Sequence, residues 1–194
     1  MKKFLSLYTQ NLKEMRKFWI NQFTISVFGV MITWPCMAMV GTNGENDFVL
    51  LLAALFAGGF FCFLEYDVFF QRGARDVTKN INNACPPNKL TGLKLGFFAY
   101  LPTILFAALA LLFFALDFSG GYLVCSSVLN FIIHAMYSGL VAYVNSETLP
   151  FLQPLVLALS LLPGLLSCFL GYYIGASNKT LRGILGFKVK VNKE

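Results

Sequence analysis

Apolar residues in this chain are grouped into long runs that short polar segments separate. Crossing the roughly 30 Å hydrocarbon core of a bilayer takes about 20 apolar residues as a helix, because every backbone group must find its hydrogen bond within the segment. Four runs meet this requirement and contain no Lys or Arg, namely residues 18–40, 48–70, 95–116 and 151–174. The pattern predicts an all-α polytopic membrane helix bundle with four clear transmembrane helices.

A fifth run, residues 122–144, is long enough to span but is the most polar of the five. It carries Ser126, Ser127, Asn130, His134 and Ser138. Its apolar character alone does not decide its path, so the path has to be inferred from the distribution of charge.

The basic residues fall into three segments of five residues each. They are Lys2, Lys3, Lys13, Arg16 and Lys17, then Arg72, Arg75, Lys79, Lys89 and Lys94, then Lys179, Arg182, Lys188, Lys190 and Lys193. Short connections rich in Lys and Arg stay in the cytoplasm. The other connections, residues 41–47, 117–121 and 145–150, hold no Lys or Arg. We therefore expect a multi-pass protein of the cell membrane with both termini in the cytoplasm.

This orientation determines the path of the fifth run. Because the run at residues 151–174 must bring the chain back to the cytoplasm, residues 122–144 should begin and end on the outer side. We expect a re-entrant helical hairpin, kinked near Ser138 and Gly139, or an amphipathic helix in the outer interface. A fully crossing helix is the alternative, and it would leave the basic C-terminal segment outside.

Composition excludes a soluble domain, because 57% of the residues are apolar and only 12% are charged, against about 25% charged in globular proteins. The net charge of +6 does not indicate nucleic acid, since the basic residues flank apolar runs and are not gathered on one soluble face. The expected partner of these charges is the bilayer, through its anionic cytoplasmic leaflet.

We interpret residues 1–194 as a single membrane domain. Within it, residues 71–94 form a cytoplasmic loop and residues 175–194 a basic cytoplasmic tail. Residues 1–17 form a basic amphipathic segment that lies on the leaflet or extends the first spanning helix into the cytoplasm. Proline is tolerated in membrane helices as a kink, and kinks are expected at Pro35, Pro102 and Pro163. Two small-residue pairs, Gly92 with Gly96 and Gly171 with Gly175, allow helices to approach closely.

The densest polar constellation follows the second apolar run and comprises Glu65, Asp67, Arg72, Arg75 and Asp76. At about 1.5 Å per residue, Glu65 lies roughly 26 Å from Phe48 along a helix, so we expect it to reach water near the cytoplasmic headgroups. If the helix continues, Arg72 and Asp76 pair at four residues. The cluster is either a salt-bridged helix end or a surface that docks a partner or gates a pathway.

A second candidate site is a polar stripe on the fifth run, made of Ser127, Asn130, His134 and Ser138 at spacings of three and four residues. His134 is the sole histidine of the chain. Its imidazole could bind a ligand or relay protons, or it could satisfy a neighbouring helix by a hydrogen bond.

Enzyme motifs are absent from the sequence, and no metal or cofactor site is indicated. No G-x-S-x-G, H-E-x-x-H, Walker or G-x-G-x-x-G pattern occurs. A metal site at His134 would need further ligands, and there is no second histidine. The five cysteines form no C-x-x-C pair, and four of them lie in apolar runs.

Three short segments resemble those of small uncharacterised bacterial multi-helix membrane proteins. They are residues 73–79 (GARDVTK), 92–96 (GLKLG) and 171–175 (GYYIG). The resemblance implies a membrane helix bundle and assigns no mechanism.

Three functions fit these patterns. The first is a non-enzymatic transport or accessory subunit that works with another membrane protein or with copies of itself. The second is a self-contained channel or carrier that uses Ser127, Asn130 and His134. The third is an intramembrane enzyme that acts on lipid through Glu65 and Asp67.

Overall fold

A computed structural model describes residues 12–40, 48–81, 88, 90–144 and 151–177 of the chain. Within these residues the fold is all-α, which confirms the predicted class. The helices are α1 (Leu12–Met39), α2 (Phe48–Ile81), α3 (Thr91–Ala115), α4 (Ser119–Val128), α5 (Ser138–Tyr143), α6 (Leu152–Leu159) and α7 (Leu161–Ala176).

Four spans of the described chain are long and apolar enough to cross a membrane, as predicted. They are α1, α2 through Thr78, α3, and Leu152–Ala176, in which α6 and α7 follow one another across Ser160. Ser160 lies three residues before Pro163, where a kink was expected, and it keeps near-helical dihedrals (φ −62°, ψ −15°). Helices α1 and α3 continue through Pro35 and Pro102.

The surface of the bundle is apolar and several polar side chains are inside it, the reverse of a soluble protein. Trp34 and Met31 are 73% and 68% exposed, whereas Gln22, Glu65 and His134 are all less than 5% exposed. A surface of this kind is stable only against hydrocarbon. The chain is therefore an integral membrane protein.

The ends of the four spans alternate as the charge pattern requires. Glu14 at the start of α1 pairs with Arg72 near the end of α2. Gly92 at the start of α3 packs against Tyr172 near the end of α7. We call this end of the bundle, where these residues lie, the basic end.

Helices α4 and α5 form a hairpin, residues 119–143, that begins and ends opposite the basic end. Tyr122 near its start packs on Phe114 at the far end of α3, with ring centroids 5.6 Å apart. The carbonyl of Val144 after its end accepts a hydrogen bond from Gln153 at the start of α6, at 3.3 Å. The two arms are bent by 96°. This path agrees with the re-entrant hairpin and not with the fully crossing alternative.

The hairpin tip, residues 129–137, reaches the middle of the bundle. It contacts each of the four spans about halfway along its length. The contacts run from Ser26 to Ile133, from Phe61 and Tyr100 to His134, and from Ser160 to His134.

The bend is at His134, four residues before the predicted position at Ser138 and Gly139. A π-helical turn, Leu129–Ile133, precedes it, and His134 itself has non-helical dihedrals (φ −131°, ψ 28°). Ser138 and Gly139 instead begin α5. The prediction was wrong because it relied on a glycine, whereas a π-turn places the break here.

Two other boundaries differ from those expected. Residues 71–94 were predicted to be a loop, but α2 continues to Ile81 and α3 starts at Thr91. The described part of residues 1–17 belongs to α1, which begins at Leu12; this favours the extension of the first spanning helix. Residues 1–11 and most of the basic tail at 175–194 lie outside the described residues, and α7 extends to Ala176.

Glycines bring α7 into close contact with its neighbours. A Cβ atom at Gly171 or Gly175 would collide with the carbonyl of Tyr66 or Phe70 on α2. Gly92 and Gly96 on α3 pack in the same way against the turn of α7 that begins at Cys168. Both small-residue pairs seen in the sequence therefore lie at helix contacts.

We expect Gly175→Ala to lower the stability of the bundle by about 1–3 kcal/mol, the usual cost of overpacking. The matched control is Gly59→Ala on α2, where a Cβ would meet nothing within 4 Å. Both changes gain the same helix propensity, so a difference between them measures the contact. Thermal unfolding in mild detergent gives the values, and equal melting temperatures would contradict the close packing.

The hairpin path predicts which positions share a side of the membrane. Single cysteines at Ser119 and Ser146, introduced into a cysteine-free chain, should react from the same side with an impermeant maleimide. A cysteine at Asn192 should react only from the other side. Labelling of Ser119 and Ser146 from opposite sides would mean that the fifth run crosses the bilayer.

Candidate functional site

Titratable and polar side chains from four helical segments meet beneath the hairpin tip. We call this set the polar centre; its members are Cys62, Glu65, Tyr100, His134, Tyr137 and Cys168. Four of the six are less than 5% exposed, namely Glu65, Tyr100, His134 and Cys168. Polar groups in this position are costly in a membrane and therefore mark a candidate functional site.

His134 is held at the bend by one hydrogen bond and by aromatic rings. Its Nε2 atom lies 3.1 Å from the carbonyl oxygen of Ser160, at the break between α6 and α7. Its ring centroid lies 4.8 Å from that of Tyr137 and 6.2 Å from that of Tyr100. The Nδ1 atom is buried and has no hydrogen-bond partner in the structure. The carbonyl contact requires Nε2 to carry the proton in the neutral ring, so Nδ1 is then an acceptor.

Tyr100 joins His134 to the acidic part of the centre. Its ring packs edge-on against Phe18, with centroids 4.7 Å apart. Its hydroxyl group is buried against Gly164 and has no hydrogen-bond partner in the structure. It lies close enough to Glu65 to interact with it electrostatically.

Glu65 is the most deeply buried acid among the described residues. Its side chain is fully buried, so the expectation that it reaches water is wrong. Its side chain points into the bundle with those of Phe61 and Phe69, one turn away on either side. The side chain of Asn21 lies near the carboxyl, yet neither carboxyl oxygen has a partner at hydrogen-bond geometry.

The polar centre offers an acid, an imidazole and a phenol in an apolar enclosure. These are the groups that bind and pass protons in membrane proteins, and an unpartnered buried group is one that a ligand or a proton can satisfy. Cys62 and Tyr137 are linked by a contact of 3.6 Å between Sγ and the hydroxyl oxygen. The arrangement is suited to binding a proton or a small polar solute.

At the basic end, a second set of polar groups ties three helices together. We call it the ionic network; its members are Glu14, Arg72, Arg75, Asp76 and Tyr172. Arg72 and Arg75 lie 3.2 and 3.3 Å from the Glu14 carboxylate, whose side chain is 5% exposed. Asp76 pairs with Arg72 at 3.2 Å and accepts a hydrogen bond from Tyr172 at 3.0 Å. The network clamps α1 and α7 onto the end of α2.

The predicted polar cluster is therefore divided between two sites and the surface. Arg72, Arg75 and Asp76 belong to the ionic network, and the predicted Arg72 to Asp76 pair is present. Glu65 belongs to the polar centre. Asp67 is exposed and accepts a hydrogen bond from Gln71 at 2.7 Å. Glu65 and Asp67 therefore do not converge on one site in the described part of the chain.

The predicted stripe on the fifth run is likewise not one surface. The π-turn and the bend change its register, so that His134 and Ser138 are buried while Ser127 and Asn130 are half-buried. Ser138 donates a hydrogen bond to the carbonyl of Ala135 at 2.7 Å and lies 3.2 Å from the Thr33 hydroxyl. Ser138 thus supports the tip, and His134 alone enters the polar centre.

A cavity of about 320 Å³ opens between α1, α3 and the hairpin tip. Two hydrogen bonds cross between the helices beside it, from Trp19 to the Ala99 carbonyl at 2.9 Å and from Gln22 to Thr103 at 3.0 Å. Its walls are mainly apolar, and the lining residues are Trp19, Gln22, Phe23, Pro102, Thr103, Ile132 and Ile133. The cavity gives the tip free space on one side.

Sequence reasoning missed six members of the two sites, namely Glu14, Cys62, Tyr100, Tyr137, Cys168 and Tyr172. Glu14 carries a usable signal, because it is an isolated acid in a basic segment and two arginines follow the second run. The tyrosines carry none, since their spacing along an apolar run does not show which of them face the interior of the bundle. No protein-family model, no curated protein and no solved structure matches the chain.

We expect Glu14→Gln to destabilise the bundle by about 2 kcal/mol, the size of a hydrogen bond to a charged group. Asp67→Asn is the control, since an exposed change of this kind costs less than about 0.5 kcal/mol. Melting temperatures in detergent compare the two. A double-mutant cycle with Arg72→Gln should show coupling, and strict additivity would mean that the ion pair contributes nothing.

Proposed function

We propose that this protein is a membrane transport protein in which a small polar or cationic solute passes through the polar centre. The single observation that supports this best is the meeting of the bent re-entrant tip with the middle of the α6/α7 span around unpartnered polar atoms. In transporters, solute sites near the middle of the bilayer are typically formed by discontinuous helices.

Two features of the bundle fit this proposal. Non-helical backbone inside a membrane is tolerated where it is buried in protein or lines a cavity, and here the tip is beside a cavity of about 320 Å³. The distribution of charge supports an orientation with the basic end on the cytoplasmic side of the cell membrane. The described cations Lys13, Arg72 and Lys94 lie in segments at that end.

The proposal includes a self-contained carrier and a subunit of a larger transport assembly. No nucleotide-binding motif occurs in the sequence, so a subunit that uses ATP would need a partner that hydrolyses it. Purification in mild detergent distinguishes the two forms. A companion protein that remains bound supports the subunit, whereas flux by the pure chain supports the carrier.

Flux through the pure chain is tested with proteoliposomes on a solid-supported membrane, using concentration jumps of protons, Na⁺, K⁺ and ammonium. Uncharged polar solutes are tested by stopped-flow swelling. We expect His134→Ala to reduce the flux of the transported probe about tenfold or more, equivalent to losing ~1.4 kcal/mol of barrier stabilisation. Asp67→Asn should leave the flux unchanged.

Asn130→Leu is the second comparison, because Asn130 belongs to the predicted stripe but does not belong to the polar centre. We expect it to reduce flux less than His134→Ala does. Equal flux in the wild type, in His134→Ala and in protein-free liposomes, for every probe and with no companion protein retained, would refute the transport proposal.

A further inference from the structure

Glu65 is a titratable group that is buried in the bundle without a cationic partner. Its side chain is fully buried in the middle of the α2 contacts. No described Lys, Arg or His lies within salt-bridge distance of it, although three salt bridges are formed nearby in the ionic network. Those cations are already bound to Glu14 and Asp76.

Among the described residues, the groups found to approach the carboxyl from neighbouring helices are uncharged. Asn21 approaches it from α1, Tyr100 from α3 and Cys168 from α7. The nearby rings of Phe61 and Phe69 on its own helix are fully buried. None of these groups can balance a carboxylate.

An ionised carboxyl without a partner is very costly in such surroundings, because removal of the charge from water is not compensated. The carboxyl avoids this cost by taking up a proton and becoming neutral.

We propose that Glu65 is a proton-binding site whose proton exchanges with solvent as the transport protein works. The ligand is the hydron itself, which adds to one carboxyl oxygen and leaves it again, with water as donor and acceptor. This inference rests on the proposed function, because exchange requires the bundle to open. It adds the chemical identity of one ion that the polar centre binds.

The basic end offers the shorter opening toward Glu65. The buried ring of Phe69, one turn along α2 from Glu65, forms a layer between the carboxyl and Arg72 of the ionic network. Arg72 and Arg75 in that network are 21% and 46% exposed. Separation of α1 from α2 at the Glu14 pair would bring water to this layer.

Infrared spectroscopy of proteoliposomes tests the site directly. A protonated carboxyl gives a carbonyl stretching band that a carboxylate lacks, and this band moves to lower frequency when the acid proton is replaced by deuterium. Chain made with carboxyl-¹³C glutamate separates glutamate bands from aspartate bands without any substitution. We expect a glutamate band in wild-type protein near neutral pH that shifts on transfer to D₂O.

Variants assign the band. Glu65→Gln should remove it, whereas Asp67→Asn should leave it in place. Glu14→Gln should also leave it in place but speed its shift in D₂O severalfold, because the Glu14 pair closes the basic end. Absence of a Glu65-dependent band would overturn the proposal, and so would a band that never shifts in D₂O, which would be that of a sealed structural acid.

The infrared result and the flux result can fail separately. A band that exchanges in a protein that moves no probe would leave the proton site standing and remove the proposed transport function. Flux that depends on His134 in a protein without the band would retain transport and remove the site at Glu65.

Discussion

Backbone that leaves the helical conformation inside a bilayer must have its hydrogen-bonding groups satisfied by other parts of the protein. The hairpin tip meets this constraint with side chains from its surroundings. Ser26 donates to the carbonyl of Ile133 at 2.8 Å, and Ser138 donates to the carbonyl of Ala135 at 2.7 Å. His134 joins the tip to the α6/α7 span through the carbonyl of Ser160. The fold of the centre depends on these few bonds.

The same constraint explains how much of the fold can be predicted from the sequence. Span positions follow from the need for long apolar helices, and the sidedness of the hairpin follows from the grouping of charges. The position of the bend does not follow, because no proline or glycine occurs between Val128 and Met136. A π-turn depends on partners such as Ser26, which is more than 100 residues away in the chain.

Which face of each span points into the bundle is harder to predict than the position of the span. In water, the hydrophobic face of a helix marks the core, but in lipid both faces of α2 are apolar and the contrast disappears. Asp67 and Glu65 illustrate the point, since they are two residues apart and one is exposed while the other is fully buried. Sequence spacing places both at one depth and cannot say which of them points inward. The glycine pairs are informative for the opposite reason, because their small size is useful only at a helix contact.

The two polar sites have different relations to stability. In the ionic network each charge has an opposite partner, so its residues hold the helix ends together. In the polar centre, by contrast, the carboxyl of Glu65, the hydroxyl of Tyr100 and Nδ1 of His134 have no partners in the structure. Apolar side chains of similar size would pack there without that cost. A binding site within a membrane requires groups that weaken the resting bundle and gain a partner when it opens. The polar centre has such groups, whereas the charges of the ionic network already have partners. This difference favours the polar centre as the functional site.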